Sequence, residues 1–414
     1  MRGISDVKRR LSTNVTQGGR GGHSLLPSML KVSMRGASLE VIASQQFILK
    51  AGPYQNNGAS QWYAEVPIGS AGQKLKVALD TGSNFIWMTS TLCGSQGCQH
   101  YGEGRFNPAA STSFRWVNQA QQPVSFGPWG TMTVELGQDY VGMPNWTSSL
   151  VNNPYTPFYL SVAYSGDQFV QLDWDGGLGL PSGSAYADPN MPPVFATLLD
   201  MGLVDPKMPY MSFVTDRDTG QGLAWLGGYD STAFDPASGI FMRWSPYTAF
   251  EGVEYIWSTP LAQMRVGDQL VASNVLFALD SGSSQFKGDD QIMNTTLALV
   301  SGSAHPDVRF VLGNHADGSV GELVVPPEVY EVTIQAGPQA GQTLPQFNPL
   351  GLTDLVLVGS ALMDHLYTIY EYTVTVVDGK HALSPAGMWL FNKVGGPRLI
   401  QSRSSIDTVL GSRS

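Results

Sequence analysis

Two short stretches each set an acid between apolar residues. Residues 77–87 read VALDTGSNFIW and residues 276–286 read LFALDSGSSQF. Asp80 is followed by Thr81, Gly82 and Ser83, and Asp280 by Ser281, Gly282 and Ser283. Burying a carboxylate is costly unless something specific receives it. The pattern Asp–(Thr/Ser)–Gly–(Thr/Ser) is expected by chance only about 0.02 times in a chain of this length. Two carboxylates delivered by equivalent turns can form one symmetric site. Like charges about 3 Å apart do not both ionise readily, so such a pair shares a proton and titrates in two separated steps. The ionised member can act as general base on a water while the protonated one donates to a carbonyl oxygen. That chemistry cleaves an amide without a metal and without a covalent intermediate. Gly82 and Gly282 allow close backbone approach, and the flanking hydroxyls and amides can hold the carboxylates coplanar.

The chain contains a control. Asp218-Thr219-Gly220 repeats part of the pattern within VTDRDTGQGLAW, but Asp216 and Arg217 precede it and Gln221 follows. It reads as a polar hairpin turn with Gly at a position of positive φ.

The elements that must position the two acids are strands. KVALD, TVELGQDYV, LAWLGGYD, LFALD, DLVLVG and YTVTVVDG are short β-like runs separated by turns. Only PVFATLLDMGLV has a clear helical pattern, ending near Gly202. Charged residues are 14% of the 414, while Gly (47) and Pro (26) are abundant, which points to a strand-rich fold of two or three domains. The net charge of −10 and the lack of a basic patch or phosphate loop argue against a nucleic-acid partner. No run of about 18 apolar residues suits a membrane span. Residues 1–49 hold seven Lys/Arg against two acids, a net +5 that leaves −15 on the rest. This extension lacks the apolar core of a signal peptide, so the expected location is cytoplasmic or, from a longer or atypical precursor, secreted.

Cys93 and Cys98 are the chain's two cysteines. With His100 nearby they suggest metal binding, but a second ligand pair is missing. A short disulfide loop is expected in an oxidising compartment, and two free thiols otherwise. No metal and no cofactor is expected.

At this point the chain resembles the pepsin-like aspartic proteases over roughly residues 55–396. Asp80 and Asp280 match the two catalytic aspartates, Trp87 the Trp after the first motif, and Cys93–Cys98 the family's small disulfide loop. FNPAASTSFRWV, WDGGLGLPSG, PPVFATLLDMGLV, LAWLGGYDSTAF and VLVGSALMDHLYTIYEY fall in family order. The resemblance implies a mostly β fold with two related lobes flanking a cleft. The expected boundaries are 1–49 for a basic, propeptide-like extension, 50–240 for the first lobe, 241–396 for the second and 397–414 for a tail. It implies a monomeric endopeptidase acting on peptide or protein substrates, preferring bulky apolar residues and acidic pH. The alternative is a catalytically weak peptide-binding or inhibitor-like protein on the same fold. A carboxylate-pair glycosidase would explain neither the Gly–hydroxyl cradle nor these landmarks.

The departures from the family define the remaining expectations. The family's flap hairpin carries a Tyr that hydrogen-bonds toward the Trp. Here the flap is VSFGPWGTMTVELGQDYV, and its substrate-side candidates are Phe126, Gly127, Trp129, Gly130 and Thr131. Ungapped counting puts Gly127 at the Tyr position, one insertion puts Phe126 there, and Trp129 falls at the tip. Gly177, where a large aliphatic is usual, is expected to loosen packing beneath Asp80. Ser281 replaces the commoner Thr. Gln285 and Lys287 are expected to make one side of the cleft more polar.

Overall fold

The computed structural model describes residues 32–33, 40–41, 43–94, 97–144, 150–314 and 320–402. Met1–Ile42 forms a unit of its own, in which Val32–Ser33 pairs antiparallel with Glu40–Val41. Most of the basic extension, and with it the expected propeptide-like role, lies outside the described residues.

Among the described residues of Ala43–Ser414, two large sheets carry the fold, one of 13 strands and one of 8. The strand Gln73–Asp80 shows why. Its first half alternates, with Leu75 and Val77 buried and Lys74 and Lys76 facing outward. From Val77 to Asp80 every residue is buried, because this half is covered on both faces. Strand Gln269–Leu279 repeats the change from alternating to continuous burial on its way to Asp280.

Each acid-bearing strand sits in the same local arrangement. Gly176–Gly179 runs parallel to Val77–Asp80 and antiparallel to Ile86–Met88. Leu355–Val358 runs parallel to Leu276–Leu279 and antiparallel to Phe286–Gly288. Thus in both halves a third strand passes between the two arms of the acid-bearing turn. Gly179 and Gly359 permit the crossing: their amides donate to Phe85 O (3.0 Å) and Gln285 O (2.9 Å). A Cβ on Gly179 would lie 2.6 Å from the Phe85 backbone.

Several expected boundaries move. Strand Gln45–Ala51 pairs with Gln221–Leu226 in the larger sheet, so the extension ends before Gln45 rather than at residue 49. The long hairpin Leu366–Val377 and Lys380–Asn392 joins that same sheet beside Tyr210–Asp216, so the sheets do not divide at residue 240. The tail begins as structure: Leu399 is buried, and Ile400–Ser402 pairs with Val320–Val325. Residues 403–414 lie outside the described residues.

The expected helix appears as Val194–Asp200. An 11-residue helix, Asp290–Val300, was not anticipated. Its signal was present in Asp289, whose carboxylate caps the amides of Gln291 and Ile292, and in the buried positions Ile292, Met293, Thr296 and Val300. Asp218-Thr219-Gly220 lies in the hairpin between Tyr210–Asp216 and Gln221–Leu226, with Gly220 at φ 66°.

Candidate active site

The two turns interlock. The amide of Thr81 donates to Ser281 Oγ at 3.0 Å, and the amide of Ser281 donates to Thr81 Oγ1 at 2.9 Å. Each hydroxyl then donates across to the opposite strand, Thr81 Oγ1 to Leu279 O (3.3 Å) and Ser281 Oγ to Leu79 O (2.6 Å). Serine supplies the same bonds as threonine here, so Ser281 leaves the reciprocal pattern complete.

That grip brings Asp80 and Asp280 together in a buried site, 5% and 9% exposed. Gly82 N donates to Asp80 Oδ1 at 2.8 Å, and Gly282 N donates to Asp280 Oδ1 at 2.9 Å. Neither glycine can carry a side chain. A Cβ on Gly82 would strike the Asp280 carboxylate, and one on Gly282 would strike that of Asp80. Ser283 Oγ donates to Asp280 Oδ2. Its counterpart Ser83 lies near enough to Asp80 to favour the ionised carboxylate, yet its buried hydroxyl makes no well-aligned bond. Burial, then the negative charge of Asp280, pushes Asp80 up to about 7. The pair therefore holds a proton in conditions where an ordinary carboxyl has lost it.

A cleft of about 650 Å³ opens over the pair. Its roof is the hairpin of Arg115–Ser125 and Thr131–Tyr140. In the connecting turn, Gly127 takes φ 60° and Phe126 N donates to Gly130 O at 2.8 Å. This turn points Phe126, Pro128 and Trp129 at the cleft. Phe126 packs against Phe85 and Trp87, with ring centroids 5.1 Å and 5.8 Å away. Phe126, not Gly127, is thus the residue facing Trp87. An added Cβ on Gly127 would meet Val253, while Gly130 backs onto Gln168 and Phe169. Thr131 begins the return strand, paired with Ser125 and Ser165. Trp129 pins the turn through its indole N–H, which donates to Asn57 O at 3.0 Å.

The residue facing Trp87 carries no hydroxyl, and this leaves a mark. Trp87 is 1% exposed, and its indole N–H has no hydrogen-bond partner. Gly177 does not loosen the packing as expected. A Cβ there would lie 2.5 Å from Trp87 Nε1, so the indole fills the room that an aliphatic side chain would occupy.

Gln285 and Lys287 both reach toward Gly58 but take different partners. Lys287 is on the cleft wall, whereas Gln285 turns into a buried amide network with Asn56 and Gln346. Cys93 and Cys98 form a disulfide, with Cα atoms 5.7 Å apart. Among the described residues no cluster of His, Cys, Asp and Glu could hold a metal, and no helix is long and apolar enough to cross a membrane.

Sequence reasoning missed several contributors. The loop Asn57–Ala59 lies against the second motif, with Ser60 N donating to Gly282 O at 2.8 Å. Val253, Tyr255 and Leu352 line the far wall. Asp364, just past the second crossing strand, is 1% exposed and accepts from Gln61, Trp62, Thr215 and Arg217. None of these has a local motif, and only the folded chain assembles them.

Comparison with known proteins agrees with this geometry. The family model for eukaryotic aspartyl proteases matches residues 61–378. Pepsin A of Rhinolophus ferrumequinum is 24% identical over 375 residues, covering 88% of this chain and 91% of that protein. Pepsin A of Sus scrofa is 25% identical over 319 residues, 77% of each chain. The vacuolar aspartic protease of Candida albicans is 24% identical over 330 residues, covering 77% of this chain and 74% of its own length. With a family match across most of its length and two strand-crossed acid turns gripping each other, this chain belongs to the eukaryotic aspartyl protease family and is an aspartic-type endopeptidase.

Proposed function

We propose that Asp80 and Asp280 are the catalytic pair and that they hydrolyse peptide bonds by activating a water between them. One carboxylate, ionised, takes a proton from the water as it attacks the scissile carbonyl. The other, protonated, donates to the carbonyl oxygen as negative charge develops there. As the C–N bond breaks, the carboxyl that took the water proton gives it to the departing amine and the other recovers its proton from the diol, so the pair is again singly protonated. The observation that carries this reading is the reciprocal Thr81–Ser281 grip, which presents two buried carboxylates from equivalent turns. Gly82 N and Gly282 N each hold one oxygen in place, so little reorganisation accompanies the transfer.

The substrate is an extended peptide laid beneath the Phe126–Trp129 turn. Side chains flanking the scissile bond meet walls made of Phe126, Val253, Ile256 and Leu352, which favours bulky apolar residues. The raised pKa of Asp80 supports an acidic working range, because the singly protonated pair is depleted as pH rises through about 7. The enzyme acts as a monomer, since both motifs come from one chain.

The test uses Asp80→Asn, Asp280→Asn and the double variant, assayed on one apolar peptide near pH 4. Each single change should lower kcat by about 10³-fold or more, and the double should be little worse, because the pair acts as a unit. Multiplying losses would refute the shared mechanism. Unchanged slow turnover in all three would favour the peptide-binding alternative.

A further inference from the structure

Among the described residues, the cleft wall holds one cation. Lys287 lies in the short strand Phe286–Gly288, is 5% exposed, and lines the cleft with Asp80, Asp280 and Ser283. Its Nζ donates to Gly58 O at 3.0 Å. Among the described residues no carboxylate lies within ion-pair distance of it; burial pushes its pKa below the ordinary lysine range, and the charges of Asp280 and Asp80, acting through space, favour the ammonium. An ammonium has three donors, and taking it out of water is costly unless an anion compensates. One carbonyl contact does not need a cation, and an apolar side chain would fill the same space more cheaply.

A second donor converges on the same point. Trp129 Nε1 donates to Asn57 O at 3.0 Å, one residue from the carbonyl that Lys287 uses. The empty side-chain position of Gly58 lies 3.2 Å from Trp129 Nε1 and 3.5 Å from both Lys287 Nζ and Gln285 Oε1, so a ligand there meets two donors and one amide oxygen. Two N–H donors, one of them charged, therefore face one small space bounded by the flap, and both are occupied only by backbone carbonyls. Gly58 O also accepts from Ser284 N at 3.0 Å, so it keeps a partner if the lysine turns away.

We propose that Lys287, together with Trp129, is a specificity determinant that receives the carboxylate of a Glu or Asp side chain of the substrate. The inference rests on the reading of this cleft as the peptide-binding site. It gives an otherwise apolar cleft one position that selects for charge. A substrate carboxylate would replace the two backbone carbonyls as acceptor, forming a charge-assisted bond with the ammonium and a second bond with the indole. Selection of this kind discriminates strongly, because Gln offers the same shape without the charge.

The experiment uses two peptide sets, each moving one Glu, or one Gln in its place, through the four positions on either side of the scissile bond. One set is cleavable. The other carries a reduced, uncleavable amide, and its affinity is measured by calorimetry. At one position the wild-type enzyme should bind Glu about tenfold or more tightly than Gln near pH 6. The ratio should fall toward one near pH 3, where a Glu side chain of ordinary pKa about 4.3 is protonated. In Lys287→Met the ratio should be close to one at all pH values. Because the ratio is internal to each enzyme, a general loss of affinity cancels. A wild-type ratio near one at every position overturns the proposal, as does a ratio that does not change between pH 6 and 3. If Lys287→Met fails to fold, that wild-type pH dependence decides. A Lys287→Met variant that keeps the ratio but shifts the pH–rate profile would make the lysine a counter-ion of the dyad only, which also overturns it. Preferential binding of Glu peptides with no turnover of any cleavable peptide would instead refute the catalytic reading while leaving the lysine site standing.

Discussion

Phe126 presents its ring edge-on to Trp87 at 5.8 Å, while the Trp87 indole N–H stays buried and unpartnered. A hairpin tip held over the cleft by aromatic contact alone differs from one held through a hydrogen bond. The contact is worth about 0.5–1.5 kcal/mol beyond area burial, and the orphaned N–H costs about 1–3 kcal/mol.

Phe126→Tyr should therefore supply an acceptor for Trp87. The expected result is a rise of several-fold in kcat/KM together with a higher melting temperature. Steady-state kinetics and thermal melts on the variant check this. No change in either would mean that a phenol at this position points away from the indole.

Trp129→Phe should loosen the flap. It keeps an aromatic ring against Phe126 and Phe169 but removes the N–H that donates to Asn57 O. Losing one such bond is worth about 1 kcal/mol, so KM should rise about fivefold with kcat changed less. Hydrogen exchange over residues 125–131 should speed up by a similar factor. Unaltered exchange would show that the indole bond does not hold the flap.

Asp80→Asn should stabilise the protein at neutral pH. Asp80 has a folded-state pKa raised from 3.8 to about 7, so the folded form binds a proton that the unfolded chain has already lost. Stability from this pair is greatest below about pH 4 and declines as pH rises toward 7. The amide removes that decline. Melts at pH 4 and pH 7 should show little gain at the lower value and a clear gain at the higher one. Equal shifts at both would mean that Asp80 is not destabilised by ionisation.

Gly177→Val should destabilise by about 1–3 kcal/mol, the usual penalty for overpacking. The new Cβ would drive into Trp87 Nε1, and the indole would have to shift toward the cleft. Chemical denaturation and tryptophan fluorescence report both effects. A neutral or stabilising outcome would show that the site beneath Asp80 has spare volume after all.

Much of this molecule was legible in the chain itself, and the rest was not, for physical reasons. The two acid turns were readable because their chemistry is local. An apolar strand must end, a carboxylate must be received, and Gly must follow where the other acid approaches. Even the false third copy was separable, because polar neighbours at Asp216 and Arg217 mark a solvated hairpin. The strands followed from alternation that gives way to continuous burial, a property each segment carries alone. The helix Asp290–Val300 was missed because its Ile, Thr and Val residues are β-favouring, and its cap and tertiary packing outweighed that preference. Between Phe126 and Gly127, sequence spacing left a tie, which the positive φ of Gly127 broke by turning the tip so that Phe126 faces Trp87. Gln285 and Lys287 are two residues apart and would share a face in a regular strand. Both side chains do reach the same point beside Gly58, but the Gln285 amide is held by Asn56 and Gln346, and Lys287 is the one of the two that lines the cleft. The placement of Gln285 and Lys287 depends on partners 61 and 229 residues distant in sequence. Local pattern determines what a turn is able to do, and only the packed chain decides which side chain meets which partner.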